Sequence, residues 1–424
     1  MKLHRIVRLL FVFAIAAAAG AALLFPAIDS TPAYPQRIVL TLTADPAHSQ
    51  AVTWRLSTPI SHPQAQISAA DADPAFTKSA LTVSAEHTGS DSYAAMFKDL
   101  KADTLYSYRV GGDSSWSEWN NFHTASDKPA PFSFLYFGDA QNDISSMWSR
   151  VVRAAVLNAP GARFMVHAGD LVAEGYDEHL WDEWTRALGF VTAMIPCLPV
   201  TGNHDLHHPP AEGKAILSAE PPWNATFSLP ANGPDAPEQR GLSYSIDYQG
   251  VRFIALDVNV WANTDFVASE RERIAKSELS WLEHELNANP NRWTIVVQHQ
   301  TMYSVGKERD YKEMRDALLP LYDKYGVDLV LQGHDHQYAR TFKLAAGKVV
   351  PESAKGTVYV ISVSGPKMYE HDNRFDTLVA KTIQNRQMYQ VIDVKPEQIV
   401  LHGYAATGEL LDEFTLRKAN SVGR

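Results

Sequence analysis

Five short polar clusters follow apolar runs along the chain: Gly138-Asp139, Gly169-Asp170, Gly202-Asn203-His204-Asp205, Gln298-His299 and Gly333-His334-Asp335-His336. Carboxylates, an amide and imidazoles are the hard and borderline donors that Zn, Mn or Fe accept. Glycine ahead of an acid lets the backbone turn sharply and lets other groups approach closely. Singly, each cluster has an ordinary explanation. Gly-Asp is a turn dipeptide, Asn203-His204-Asp205 fits a loop or a helix cap, and a lone His299 fits a satisfied, half-buried histidine. The signal lies in the ordered set of five, and the chemistry it implies is that of a metal centre.

Positioning such a set requires strands that end at one edge. From Phe132 onward, strand-like runs over 132–137, 164–168, 198–201, 251–256, 293–297, 329–331 and 358–363 alternate with helical patterns over 145–157, 178–190, 276–287 and 311–325. That alternation predicts an α/β domain with strands buried on both faces. In open α/β sheets, ligands bind at the carboxyl ends of strands, so the five clusters are expected to converge there. Three further strands, over 389–394, 399–404 and 410–416, complete the domain. The stretch 206–241, rich in Pro, Gly and Asn, reads as a loop. Ahead of the α/β region, short alternating segments over 38–42, 51–54, 81–83, 105–110 and 121–124 predict a β-sandwich. The proline-bearing stretch Ser126-Asp-Lys-Pro-Ala-Pro131 links the two.

In order and type, the clusters resemble the motifs of the calcineurin-like metallophosphoesterases. With the sandwich in front, residues 36–418 are similar to purple acid phosphatases. The segment Leu100-Lys-Ala-Asp-Thr-Leu-Tyr-Ser-Tyr-Arg-Val110 resembles a late strand of fibronectin type III domains, where a tyrosine hydroxyl pins a corner, and Trp54 fits their core tryptophan. The resemblance implies a fibronectin type III-like sandwich over 34–127 and a four-layer α/β/β/α phosphoesterase domain over 131–418. It implies that Asp139, Asp170 and His336 hold one ion, and that Asp170, Asn203, His299 and His334 hold a second, with Asp170 bridging. The resemblance further implies that the ions are Fe, Mn or Zn, that a hydroxide bridging them is the nucleophile, and that the substrate is a small phosphate monoester. His204 would steady the transferring phosphoryl group or protonate the leaving oxygen. A phosphodiesterase using the same ligands is the alternative, and a catalytically silent exported binding or adhesion protein is a third reading.

The third reading is motivated by three departures from the family pattern. Ala173 stands where purple acid phosphatases place an iron-ligating tyrosine, so no purple chromophore is expected. Gln141 stands where many relatives have a histidine ligand, so the first site needs an oxygen from Gln141 or a water. Gln300 replaces a histidine that contacts phosphate in relatives. Arg340, near the last motif, is a candidate phosphate contact; His207, His208, Tyr303 and Tyr338 are weaker candidates.

The chain's 424 residues exceed what one hydrophobic core sustains, and 45% hydrophobic with 20% charged residues is the composition of a folded protein. A net charge of -10 without a basic block argues against a nucleic-acid groove, and no nucleic acid is expected as a partner. The one cysteine, Cys197, excludes an intrachain disulfide and reads as a small buried hydrophobe. Lys2, Arg5 and Arg8 precede an apolar run over 9–25. Residues 1–33 are therefore expected to be a signal peptide or a membrane anchor, placing the protein in the periplasm or outside the cell, released or held at the inner membrane.

Overall fold

The computed structural model describes residues 34–113, 115–206, 219–262 and 268–418. The expected signal or anchor over 1–33, and His207 and His208, lie outside these residues. Among the described residues no helix is long and apolar enough to cross a membrane.

The first unit is a sandwich. Strands Gln36–Thr41, Gln50–Arg55 and Ser92–Phe97 form one antiparallel face, and Gln64–Ala69, Leu81–Ser84, Leu105–Gly112 and Asn120–His123 form the other. Trp54 is 1% exposed and stacks on Tyr93, with Tyr108, Phe97 and Phe122 filling the rest of this core. The Tyr106 hydroxyl accepts the Lys101 N–H at 2.9 Å, closing the corner that the sequence predicts.

The sandwich does not stand apart. Strand Gln36–Thr41 pairs in parallel with Cys197–Val200 through Thr41 and Cys197, joining both units into one ten-stranded sheet. Side-chain alternation explains the fit: Ile38 and Leu40 enter the sandwich core, whereas Val39 packs into the helix-covered core of the following domain. Arg37 then reaches Glu178 at 2.7 Å and Asp182 at 2.6 Å on the second unit. Cys197 sits in this junction, fully buried.

The second unit has four layers. Strands Phe132–Phe137, Met165–Ala168 and Cys197–Val200 run parallel, and the antiparallel Met388–Lys395, Gln398–Ala405 and Leu410–Arg417 extend their sheet. The facing sheet holds Tyr244–Tyr248, Val251–Leu256, Trp293–Gln298, Leu329–Gln332, Val358–Ile361, Tyr338–Thr341 and Val379–Ile383. Between the sheets lie Phe132, Phe134, Phe164, Tyr248 and Phe253, all buried. Helices Ser149–Asn158 and Glu178–Leu188 cover the first sheet through Trp148, Trp181 and Trp184; Ala268–Asn287 and Lys312–Tyr325 cover the second through Leu282, Leu318 and Tyr322. This is the expected α/β/β/α arrangement.

One expectation needs correction. The stretch 206–241 is not all loop: Pro221–Thr226 is a helix with proline at its first positions. Proline has no N–H to donate there and its fixed φ suits a helix start. The helix presents Trp223, fully buried, to Trp181 and Phe227.

Strand Met165–Ala168 carries an unexpected residue. His167 is 2% exposed, lies among Phe137, Trp148 and Trp184, and neither ring nitrogen has a hydrogen-bond partner. Burial pushes its pKa down to about 3, so the folded protein holds it neutral where the unfolded chain, near pH 6.5, begins to bind a proton. Stability is therefore undiminished above that pH and falls by about 1.4 kcal/mol per unit as pH drops toward 3. His167→Met is expected to remove this loss, gaining about 3 kcal/mol on the parent at two units below the unfolded pKa. Urea unfolding at neutral and acidic pH checks it, and an equal acid slope in both proteins would refute the account.

Candidate metal centre

The carboxyl ends of four parallel strands meet at one edge, two from each sheet. Asp139 follows Phe137, Asp170 follows Ala168, His299 follows Gln298 and His334 follows Gln332. Their side chains form two overlapping groups. Asp139, Asp170 and His336 bring ligand atoms within 4.8 Å of one another, and Asp170, His299 and His334 do the same. Asp170 belongs to both. All are nearly or fully buried.

The backbone is strained at these residues. Asp139, Asp170, His334 and His336 have φ of 50°, 52°, 74° and 51°. Non-glycine residues in this region cost of order 1–2 kcal/mol each, and such strain persists where surrounding structure fixes it, commonly at functional sites. Two glycines make the crowding tolerable. A Cβ at Gly202 would lie 2.1 Å from Asp170 Oδ1, and one at Gly169, whose φ is +82°, would lie 2.4 Å from His299 Nδ1.

Each imidazole is aimed by a carbonyl or a neighbouring side chain. His299 Nδ1 donates to the Ala168 carbonyl at 2.8 Å, which turns Nε2 to Asp170 Oδ2 at 3.2 Å. His336 Nδ1 donates to the Lys367 carbonyl at 3.0 Å, turning Nε2 toward Asp139 Oδ1 at 3.4 Å. His334 faces His299 through Nδ1 at 3.1 Å, and its Nε2 meets the Tyr311 hydroxyl. Such partners fix the tautomer that leaves one nitrogen for a metal.

The electrostatics describe a site built for cations. Burial raises the Asp139 carboxyl well above its usual range, and the Asp170 charge raises it further. Burial also works against Asp170, but His299 outweighs it and holds that carboxyl below its usual range. His299 is pushed up to about 9: burial opposes its charge, and Asp170 and Asp139 overcome that opposition. Two buried carboxylates this close need positive charge between them.

The aspartates inside the motifs brace the loops. Asp205 accepts N–H bonds from Leu171, Val172 and Gly202, locking the second and third motifs together. Asp335 accepts from Ser304 Oγ and from the Val305 and Gly306 N–H groups, fixing the loop after His299. The turn over Gly202-Asn203-His204 lies against Asp170, whose Oδ1 accepts the His204 N–H at 2.9 Å. Asn203 is exposed on this turn. His204 Nδ1 meets the Ala173 carbonyl at 2.8 Å, so proton exchange falls to Nε2.

Gln141 is also in the cluster. Its Nε2 lies 2.8 Å from Asp170 Oδ2 and 3.3 Å from His336 Nε2, while its Oε1 is buried with no partner. A cation beside Asp139 and His336 would give that oxygen a use.

Arg340 is not in the cluster, against the sequence expectation. It forms a two-pronged ion pair with Asp412 at 2.7 and 3.0 Å, and the Tyr338 hydroxyl joins at 2.7 Å. These bonds tie the second sheet to the last strand of the first. Tyr303 packs against Tyr359 and Phe375 beneath the outer helices. Gln300 is buried, with its amide bonded to Asn259 at 2.8 Å.

Sequence comparison identifies the two domains. Residues 132–338 match the calcineurin-like phosphoesterase family, and residues 35–124 match the purple acid phosphatase N-terminal domain. The chain carries a calcineurin-like phosphoesterase domain behind a purple acid phosphatase N-terminal domain. Among its relatives, a probable purple acid phosphatase 20 of Arabidopsis thaliana is 29% identical over 250 residues, covering 57% of this chain and 53% of the relative. An Arabidopsis thaliana protein named Fe(3+)-Zn(2+) purple acid phosphatase 12 is 26% identical over 263 residues, covering 59% and 52%. The chain thus spans about half the length of the curated relatives it matches. A purple acid phosphatase from yellow lupin (Lupinus luteus) seeds shares the fold with a TM-score of 0.73 at 18% identity, over 91% of this chain and 74% of the other.

Within this calcineurin-like phosphoesterase domain, the residues the sequence could not place are those that aim the clustered side chains. Tyr311, Asp205 and the Lys367 carbonyl act through contacts distant in sequence. The His-Asp-His and Asn-His-Asp spacings were the only visible hint of the two bracing acids.

Proposed function

We propose that this chain is a binuclear-metal hydrolase of phosphate monoesters, exported from the cell by its basic-then-apolar N-terminal segment. One observation carries the reading: Asp170 is shared by two buried donor groups, which suits a pair of ions bridged by one carboxylate. The residues fit such ions. The donors are carboxylate and imidazole, the buried Gln141 Oε1 lacks a partner, and a side chain at Gly202 would collide with the shared carboxylate. Asp139, His336 and Asp170, with Gln141, would hold one ion; Asp170, His299 and His334, with Asn203, the other.

Ions held there supply Lewis acidity and a water acidified enough to be the nucleophile at neutral pH. The protein supplies the rest. Burial keeps competing water and protons from the carboxylates. The His204 N–H bond to Asp170 sets its imidazole at a fixed offset from the shared ligand, and Nε2 is the atom that steadies the phosphoryl oxygens or protonates the leaving group. One relative named for iron and zinc supports either metal here, and Ala173 removes the tyrosinate colour from the expectation.

Gln141 tests the first site by itself. Gln141→Ala is expected to weaken the ion beside Asp139 and His336 about ten- to a hundredfold while the other ion stays bound, read by metal titration. The function is tested by stripping the metal, refilling with Mn, Zn or Fe, and assaying aryl phosphate mono- and diesters. Metal-dependent turnover with a higher kcat/KM for the monoester is expected. No turnover with any metal, together with no metal retained, sinks the proposal.

A further inference from the structure

Two loops outside the motifs close one side of the centre. Tyr369 lies over His336, ring centroids 4.5 Å apart, and two cations lie over the Tyr369 ring: Arg309 at 4.6 Å and Lys367 at 5.2 Å. Arg309 also donates to the His334 carbonyl, and the Lys367 carbonyl holds His336. Both cations are thus attached to the residues that carry the ligands of the two sites.

Their charge is only partly met. Arg309 is 3.6 Å from Asp335, a buried acid whose oxygens already accept from Ser304, Val305 and Gly306. Lys367 has no carboxylate partner among the described residues, and it is half-buried. The nearest acid in sequence, Glu370, pairs with Lys307 at 2.6 Å. The tyrosine face offsets only a fraction of two like charges. In a chain of net charge -10, this is a local basic spot beside His336 and the clustered carboxylates.

We infer that Lys367 and Arg309, held on Tyr369, form an anion subsite beside the metal centre, selecting small phosphate esters that carry a second anionic group. The inference rests on the phosphoesterase reading above. The phosphoryl group occupies the metal centre, and the second group, a carboxylate or a further phosphate, lies between the two cations. A guanidinium offers a fixed fork to such an oxyanion, and the lysine ammonium adds a mobile point charge.

The test uses the full chain loaded with metal and two non-hydrolysable ligands that differ only in the second charge, phosphonopropionate and propylphosphonate, with calorimetric affinities. The protein is expected to prefer phosphonopropionate, and Lys367→Gln to reduce that preference about tenfold, as expected for loss of one charge-assisted hydrogen bond. Lys367→Arg is expected to keep it. Equal affinity for both ligands, or a preference untouched by Lys367→Gln, overturns the subsite while leaving the metal-centre reading intact. If neither phosphonate binds the loaded protein, the phosphoesterase reading fails and the subsite falls with it.

Discussion

Asp170→Asn is expected to release both ions and to lower kcat/KM for an aryl phosphate monoester by about a thousandfold or more, the loss of several kcal/mol of charge stabilisation. The argument is geometric. Asp170 is the one side chain common to both donor groups. Its Oδ1 orders the His204 turn and its Oδ2 lies against His299 and Gln141. An amide keeps the shape and the oxygen acceptor but halves the buried negative charge of the Asp139–Asp170 pair. The crowding at Gly202, where even a Cβ would collide with Asp170, holds the side chain at position 170 in this place. Elemental analysis and turnover on the same sample check the result. Retention of two ions would show that Asp170 is not the bridge.

The second large effect separates chemistry from metal binding. His204→Ala is expected to lower kcat about a hundred- to ten-thousandfold, the usual contribution of a positioned general acid, with both ions still bound. His204 appears in neither donor group, and its Nδ1 is engaged by the Ala173 carbonyl. Its backbone N–H, which does contact Asp170, survives the substitution. Loss of metal along with activity would make His204 a ligand; unaltered activity would remove it from the mechanism.

The layered architecture was legible because buried parallel strands and amphipathic helices leave different periodicities. The pattern broke where propensity was overridden. The helix Ala268–Asn287 starts earlier than the expected 276 because its first turns are polar and exposed, giving no apolar period to read. Pro221 and Pro222 resembled a loop but open a helix held by Trp223. The junction of the two units in one sheet was invisible because one strand, Gln36–Thr41, divides its side chains between two cores.

The convergence of the cluster was legible, since residue type and order carry that information: six of the seven proposed residues make contacts within or against it. Asn203 lies on the same turn. Arg340 misled because nearness in sequence to His336 says nothing of direction: two positions along its strand from Tyr338, it joins that hydroxyl on Asp412. Arg309, Tyr311, Lys367 and Tyr369 were not found, because they come from connecting loops with no motif of their own and acquire meaning only through contact with His334 and His336.

Anomalous X-ray diffraction from crystals of the metal-loaded protein tests the central claim most directly. Two peaks about 3.5–4 Å apart with the Asp170 carboxylate between them are expected. A single peak, or none at Asp139, Asp170, His299, His334 and His336, would contradict it.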